Sequence, residues 1–179
     1  METINTNKFW KLIDKAVQAS NGDNHLKERY LVHELEKLSL DEIKNFEFAF
    51  RKCIIEADEF KIMAAQKIIE GYVSDDSYLY FRCWLIGLGE NVYAEILNNP
   101  DYLANIVDQK EILDWEGLMY VATDAYSKKT GKEEDETFPR DIAIDLGLDY
   151  DFGAPPTKGK DWTEDELPTM LPNLWAKLN

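Results

Sequence analysis

Ser74-Asp75-Asp76-Ser77-Tyr78-Leu79-Tyr80-Phe81-Arg82-Cys83-Trp84-Leu85-Ile86-Gly87-Leu88-Gly89 is the stretch whose reading decides the fold. Ser74 is a good N-cap, because its hydroxyl can accept from a free N–H of the first helical turn. Asp75 and Asp76 then fall in that turn, where negative charge meets the positive end of the helix dipole. Tyr78, Phe81, Leu85 and Leu88 recur at spacings of three and four, with Trp84 alongside, so they share one face. Gly87 and Gly89 suit a helix end, since glycine takes the left-handed conformation without steric penalty. The stretch predicts a helix from Ser74 to Leu88, buried on its aromatic side.

The same periodicity extends on both sides. Asn5 or Thr6 caps a first helix to about Ser20, with Phe9, Leu12, Ile13, Ala16 and Val17 as its apolar stripe. Trp10 sits beside that stripe, as core or as the wall of a pocket. After Asn21-Gly22, a second helix runs to about Leu38, with Leu26, Tyr30, Leu31 and Leu35 buried. Ser39-x-x-Glu42 matches a capping box and opens a third helix, patterned by Ile43, Phe46, Phe50, Cys53, Ile54 and Ala57, to roughly Phe60. Ile62 to Glu70 is a fourth. Beyond the central stretch come Glu90 to Asn98, a segment started by Pro100, and a helix from Leu113 to Lys129 closed by Thr130-Gly131.

After Gly131 the character changes. Glu133-Glu134-Asp135-Glu136 reads as a solvated acidic loop. Residues 137–160, with Pro139, Pro155 and Pro156, read as irregular chain on the helical body. Thr163 with Glu166 forms another capping box and opens a last helix near 163–177, in which Pro172 would interrupt the interior. The expectation is an all-α fold: a helical domain over 1–131, with an irregular acidic segment and a docking helix over 132–179 packed on it. No strand alternation argues for a sheet.

Composition narrows the function. The chain has 179 residues and a formal charge of −15, long enough to bury a core without disulfide or metal. Residues 1–100 carry 12 basic and 17 acidic side chains, so −5, and residues 101–179 carry 8 and 18, so −10. Such charge repels nucleic-acid phosphates and anionic membrane surfaces, and favours encounter with a basic protein. No apolar run approaches the ~20 residues of a membrane span. Met1-Glu2-Thr3-Ile4-Asn5 lacks the basic start and apolar run of a signal peptide, so a cytoplasmic location is expected.

Chemistry-bearing motifs are few. Cys53 and Cys83 lie inside helical patterns and read as reduced, buried thiols rather than a disulfide framework. His25 and His33 have no second ligand or nucleophile at a useful spacing. Asp145, Asp149 and Asp151 do not match an EF-hand loop, so no metal or other cofactor is expected. Phosphate-binding loops, dinucleotide fingerprints and nucleophile elbows are absent from the sequence, and no catalytic residue is assigned.

Ser74-Asp75-Asp76-x-x-x-Tyr80-Phe81-Arg82-x-Trp84-Leu85-Ile86-x-x-Gly89, followed by Asn99-Pro100-Asp101-x-Leu103-Ala104, resembles the signature of the bacterial domain-of-unknown-function family numbered 4240. Phe9-Trp10-x-Leu12-Ile13-Asp14 is similar to that family's opening, and Leu38-Ser39, Phe46 and Phe50 also fit. The ending Leu-Pro-x-Leu-Trp-Ala resembles the family's C-terminus. The likeness covers most of residues 5–130. It implies an all-helical, cytoplasmic bacterial protein and implies no activity.

Two function classes follow. The first is a non-enzymatic interaction protein for a basic partner, of which an immunity-type protein neutralising a basic toxin enzyme is the concrete form. The second is a small-ligand-binding domain or enzyme with a pocket at the start of the Ser74–Leu88 helix. There Asp75, Asp76 and Arg82 would converge between Tyr78, Trp84 and Trp10. The competing assignment makes the aspartates helix-start residues and Arg82 a partner for an acid on a neighbouring helix.

Overall fold

A computed structural model describes residues 6–179. Among them there is no strand, only one isolated parallel bridge between Glu59 and Lys158. The helices are α1 (Thr6–Ser20), α2 (Asn24–Glu36), α3 (Leu40–Glu56), α4 (Phe60–Glu70), α5 (Asp75–Ile86), α6 (Glu90–Asn98), α7 (Val121–Thr130), α8 (Pro139–Asp145), α9 (Leu167–Met170) and α10 (Pro172–Leu178). Short 3₁₀ turns cover Pro100–Asn105, Glu116–Tyr120 and Glu164–Glu166. The fold is all-α, as the apolar periodicity requires. Asn5, one of the two expected caps of α1, lies outside the described residues.

The central stretch forms α5. Ser74 accepts from the Ser77 N–H, and the Ser77 hydroxyl accepts from the Ser74 N–H, so both ends of a capping box are made. Phe81 and Leu85 are fully buried and Tyr78 nearly so. The predicted C-terminus needs correction. The helix ends at Ile86, and Gly87 is right-handed at φ −65°. Glycine is needed there for space: a Cβ would lie 2.6 Å from Cε3 of Trp115. The left-handed glycine is Gly89, at φ 95°, which begins α6. Asp14 Oδ1 accepts from the Glu90 N–H at 3.0 Å and so caps α6 from α1.

Four other expectations shift. Leu26 is exposed, and Lys27 takes the buried place on α2 with Leu31 and Leu35. Its ammonium donates to the Gly87 carbonyl at 3.2 Å and lies 4.9 Å from the Trp115 ring. α3 stops at Glu56 rather than near Phe60, because the α3–α4 turn is held by side-chain and bridge contacts from elsewhere in the chain. Leu113–Lys129 is not one helix: the Trp115 N–H donates to the Tyr80 carbonyl at 3.2 Å, which holds that residue out of helical geometry before the helix begins. Residues 137–160 contain α8, led in by Phe138, which is fully buried against Tyr126.

The end of the chain is fastened by polar contacts. Thr163 and Glu166 make their capping box. The helix breaks at Leu171 before Pro172, where the proline ring forbids continuation. Asp101 then accepts from the Asn173 N–H at 3.1 Å, the Asn173 amide at 2.7 Å and the Leu174 N–H at 2.9 Å, capping α10 from the neighbouring 3₁₀ turn at Pro100–Asn105.

Candidate functional site

Tyr78 sits on the first turns of α5 and points into the α3–α4 turn. Its hydroxyl accepts from the Glu59 N–H at 3.0 Å and lies 2.9 Å from the Glu59 carbonyl and 3.2 Å from that of Ala57. Burial pushes its phenol well above the usual range, and nearby Arg82 opposes that only in part. Arg82, one turn on, lays its guanidinium 4.5 Å from the Tyr78 ring centre. Its Nη1 donates to the Ile54 carbonyl at 3.0 Å, and its Nε to the Tyr78 carbonyl at 3.4 Å. Asp58 Oδ2 is 3.8 Å from Nη1, an ion pair without a hydrogen bond. Asp58 Oδ1 is buried and has no hydrogen-bond partner.

Arg82 and Asp58 line a cleft of about 420 Å³ between the end of α3 and the segment 147–158. Tyr150, Pro155, Pro156, Lys52 and Lys158 also line it. The segment is pinned at both ends. Lys158 exchanges backbone hydrogen bonds with the α3–α4 turn: its N–H donates to Asp58 and its carbonyl accepts from Phe60. At the other end, Arg51 Nη1 donates to the Leu148 carbonyl at 3.0 Å, and the Arg51 guanidinium lies 4.5 Å from the Tyr150 ring centre. Arg51 is itself paired with Glu47 inside the core. Burial pushes the Glu47 carboxyl up, against the opposing charge and hydrogen bond of Arg51.

The structure divides the sequence-predicted site residues among several places. Tyr78 and Arg82 are brought together. Asp75 and Asp76 are exposed at the helix start. Asp76 lines a second hollow, of about 330 Å³, with Leu79, Tyr120, Ile144, Asp149 and Phe152. Trp84 is half-buried and stacks on Phe81 at 5.5 Å. Trp10 is buried, with its ring 5.0 Å from both Phe9 and Tyr93.

Other residues at these places carried weaker signals. Glu47 and Arg51 are four apart on the apolar stripe of α3, between Ile43 and Ile54, a position where an ion pair must be buried. Asp58, Tyr150, Phe152 and Lys158 lie in turns and irregular chain, where periodicity says nothing. Tyr150 lines both hollows and so is the wall between them.

The chemistry on offer is recognition by charge and shape. Burial pushes the Cys53 thiol up to about 12 and Cys83 higher still, so neither is a thiolate at neutral pH. Among the described residues no group of His, Cys, Asp and Glu gathers that could hold a metal ion. No helix among them is long and apolar enough to cross a membrane.

No curated protein matches this chain, and no solved structure matches it. A family described as "Protein of unknown function (DUF4240)" matches residues 4–128. The match takes in Lys52, Asp58 and Arg82 on one side of the cleft. It leaves out Tyr150 and Lys158 on the other, and also the Leu-Pro-x-Leu-Trp-Ala ending. With 4–128 covering well over half of its residues, the chain belongs to the DUF4240 family.

Proposed function

We propose that this protein is a non-enzymatic interaction module that docks a basic protein on the hollow around Phe152, in the way an immunity protein neutralises a basic toxin enzyme. The observation that carries the proposal is Phe152 itself, which is fully exposed to solvent at 101%. A phenylalanine left wholly in water forgoes a burial free energy of about 1.5–3 kcal/mol, which contact with a partner would recover. Tyr120 and Ile144, at 40% and 43% exposure, extend the apolar surface beside it. Asp76, Asp149 and Asp151 stand around them. The hollow also holds Arg140 and Arg51, but each is paired with an acid, Glu134 and Glu47, so an apolar anchor beside three carboxylates complements a partner presenting aliphatic or aromatic side chains among lysines and arginines. The net charge of −15 steers the same class of partner to the surface.

The test is photocrosslinking in the native host. A benzoylphenylalanine at position 152 is expected to trap one basic protein in stoichiometric yield. The same probe at exposed Thr169 should trap none. Asp149→Lys with Asp151→Lys should abolish the crosslink, and rising salt should weaken it. Crosslinks to acidic proteins, crosslinks indifferent to the charge reversal, or none above the Thr169 control would each defeat the proposal.

A further inference from the structure

The cleft between the end of α3 and segment 147–158 is a different surface from the Phe152 hollow and stands independently of the interaction proposed there. We infer that it is a binding site for a free α-amino acid with an apolar side chain, its carboxylate on Arg82 and its ammonium on Asp58.

The inference begins with the polar pair at the cleft. Arg82 is 5% exposed, yet its contact with Asp58 is 3.8 Å, too long for a hydrogen bond. Neither group is used up by the other. Asp58 also keeps one carboxylate oxygen with no donor at all, a deficit that costs about 1–3 kcal/mol in a buried group. The other oxygen, Oδ2, makes only the 3.8 Å contact to Arg82 Nη1, so its acceptor capacity is unfilled as well. A guanidinium and an under-satisfied carboxylate this close match a ligand whose own opposite charges are two bonds apart. That is the ammonium and carboxylate of an α-amino acid.

The rest of the lining agrees. Lys52 and Lys158 add positive charge, and Glu56 adds negative charge, so the cleft holds both signs within a strongly acidic protein. A zwitterion can set each of its charges beside the opposite one, the carboxylate by Arg82 and the ammonium by Asp58. Tyr150, Pro155 and Pro156 add apolar lining for a side chain, in a volume of about 420 Å³.

Titration calorimetry on the full chain tests this with L-phenylalanine and L-leucine. The comparison ligands are N-acetyl-L-phenylalanine, L-phenylalaninamide and L-glutamate. Saturable binding of the first two is expected, weakened roughly tenfold or more by blocking either terminus. Asp58→Asn keeps the shape of the side chain and should weaken L-phenylalanine by a similar factor while erasing the penalty for acetylation. Arg82→Lys should erase the penalty for amidation. If that variant unfolds, the Asp58→Asn comparison decides alone. No heat with L-phenylalanine or L-leucine at millimolar concentration overturns the inference, as does equal binding of the blocked compounds or of L-glutamate.

Discussion

Arg51 Nε donates to Glu47 Oε1 at 2.6 Å, and both side chains are 2% exposed. The arginine therefore spends its charge inside the core, where it also holds the Leu148 carbonyl and the Tyr150 ring. Removing one partner leaves the other charged and dry. Arg51→Met is expected to cost about 3–5 kcal/mol, and pairing it with Glu47→Leu should return much of that loss. Urea unfolding of the two single variants and the double variant measures the difference.

Tyr78→Phe removes the hydroxyl that plugs the α3–α4 turn. The Glu59 N–H loses its acceptor, and a loss of about 1–3 kcal/mol is expected. Hydrogen exchange should quicken at the Glu59 amide before it does in the middle of α3.

Gly87→Ala places a methyl 2.6 Å from the Trp115 ring. The backbone there is right-handed, so the cost is crowding rather than strain, about 1–3 kcal/mol. Trp115→Leu in the same chain should relieve part of it. If Gly87→Ala alone melts like wild type, the close packing of these two residues is not what it looks.

Glu42 supplies the pH dependence. The Lys8 ammonium, then the Ser39 N–H and hydroxyl, hold its carboxyl down at about 2. A depressed folded value means the stabilisation is present above the unfolded value of 4.5 and is lost as pH falls from there toward 2. The Glu42 side chain is 41% exposed, so solvent screening keeps the effect under about 1 kcal/mol. Glu42→Gln should flatten the stability curve over that interval and leave it unchanged in shape near neutrality.

Cys53 and Cys83 are free, buried and far from thiolate character at neutral pH. Ellman's reagent is expected to find no reactive thiol in the folded protein and two after denaturation. Rapid reaction in native buffer would show that the core opens around one of them.

What the sequence made legible was what repeats. Phe46, Phe50 and Ile54 fall on the stripe that is buried, Ser39 and Thr163 make the capping boxes that their spacing announces, and Ser74 is the N-cap expected of it. The same method misplaced Leu26 and overlooked Lys27, because a lysine that donates to a carbonyl across the core looks like any solvated lysine until its partner is known. Gly87 was expected to free the backbone, but it makes room for Trp115, which is distant in sequence. Of the residues around the cleft, Tyr78 and Arg82 were named from the sequence, and they lie one helical turn apart on α5. Asp58, Tyr150 and Lys158 meet them only through tertiary contact, and no local pattern encodes that meeting.

The three hydrogen bonds that Asp101 accepts from Asn173 and Leu174 run from inside the family-matched residues to outside them. Shortening the chain to residues 4–128 would bare that carboxylate, strip the Leu148 carbonyl and Tyr150 ring from Arg51, and take away one bank of the cleft. A ligand screen or partner screen run on such a fragment would sample a surface that the longer chain never presents.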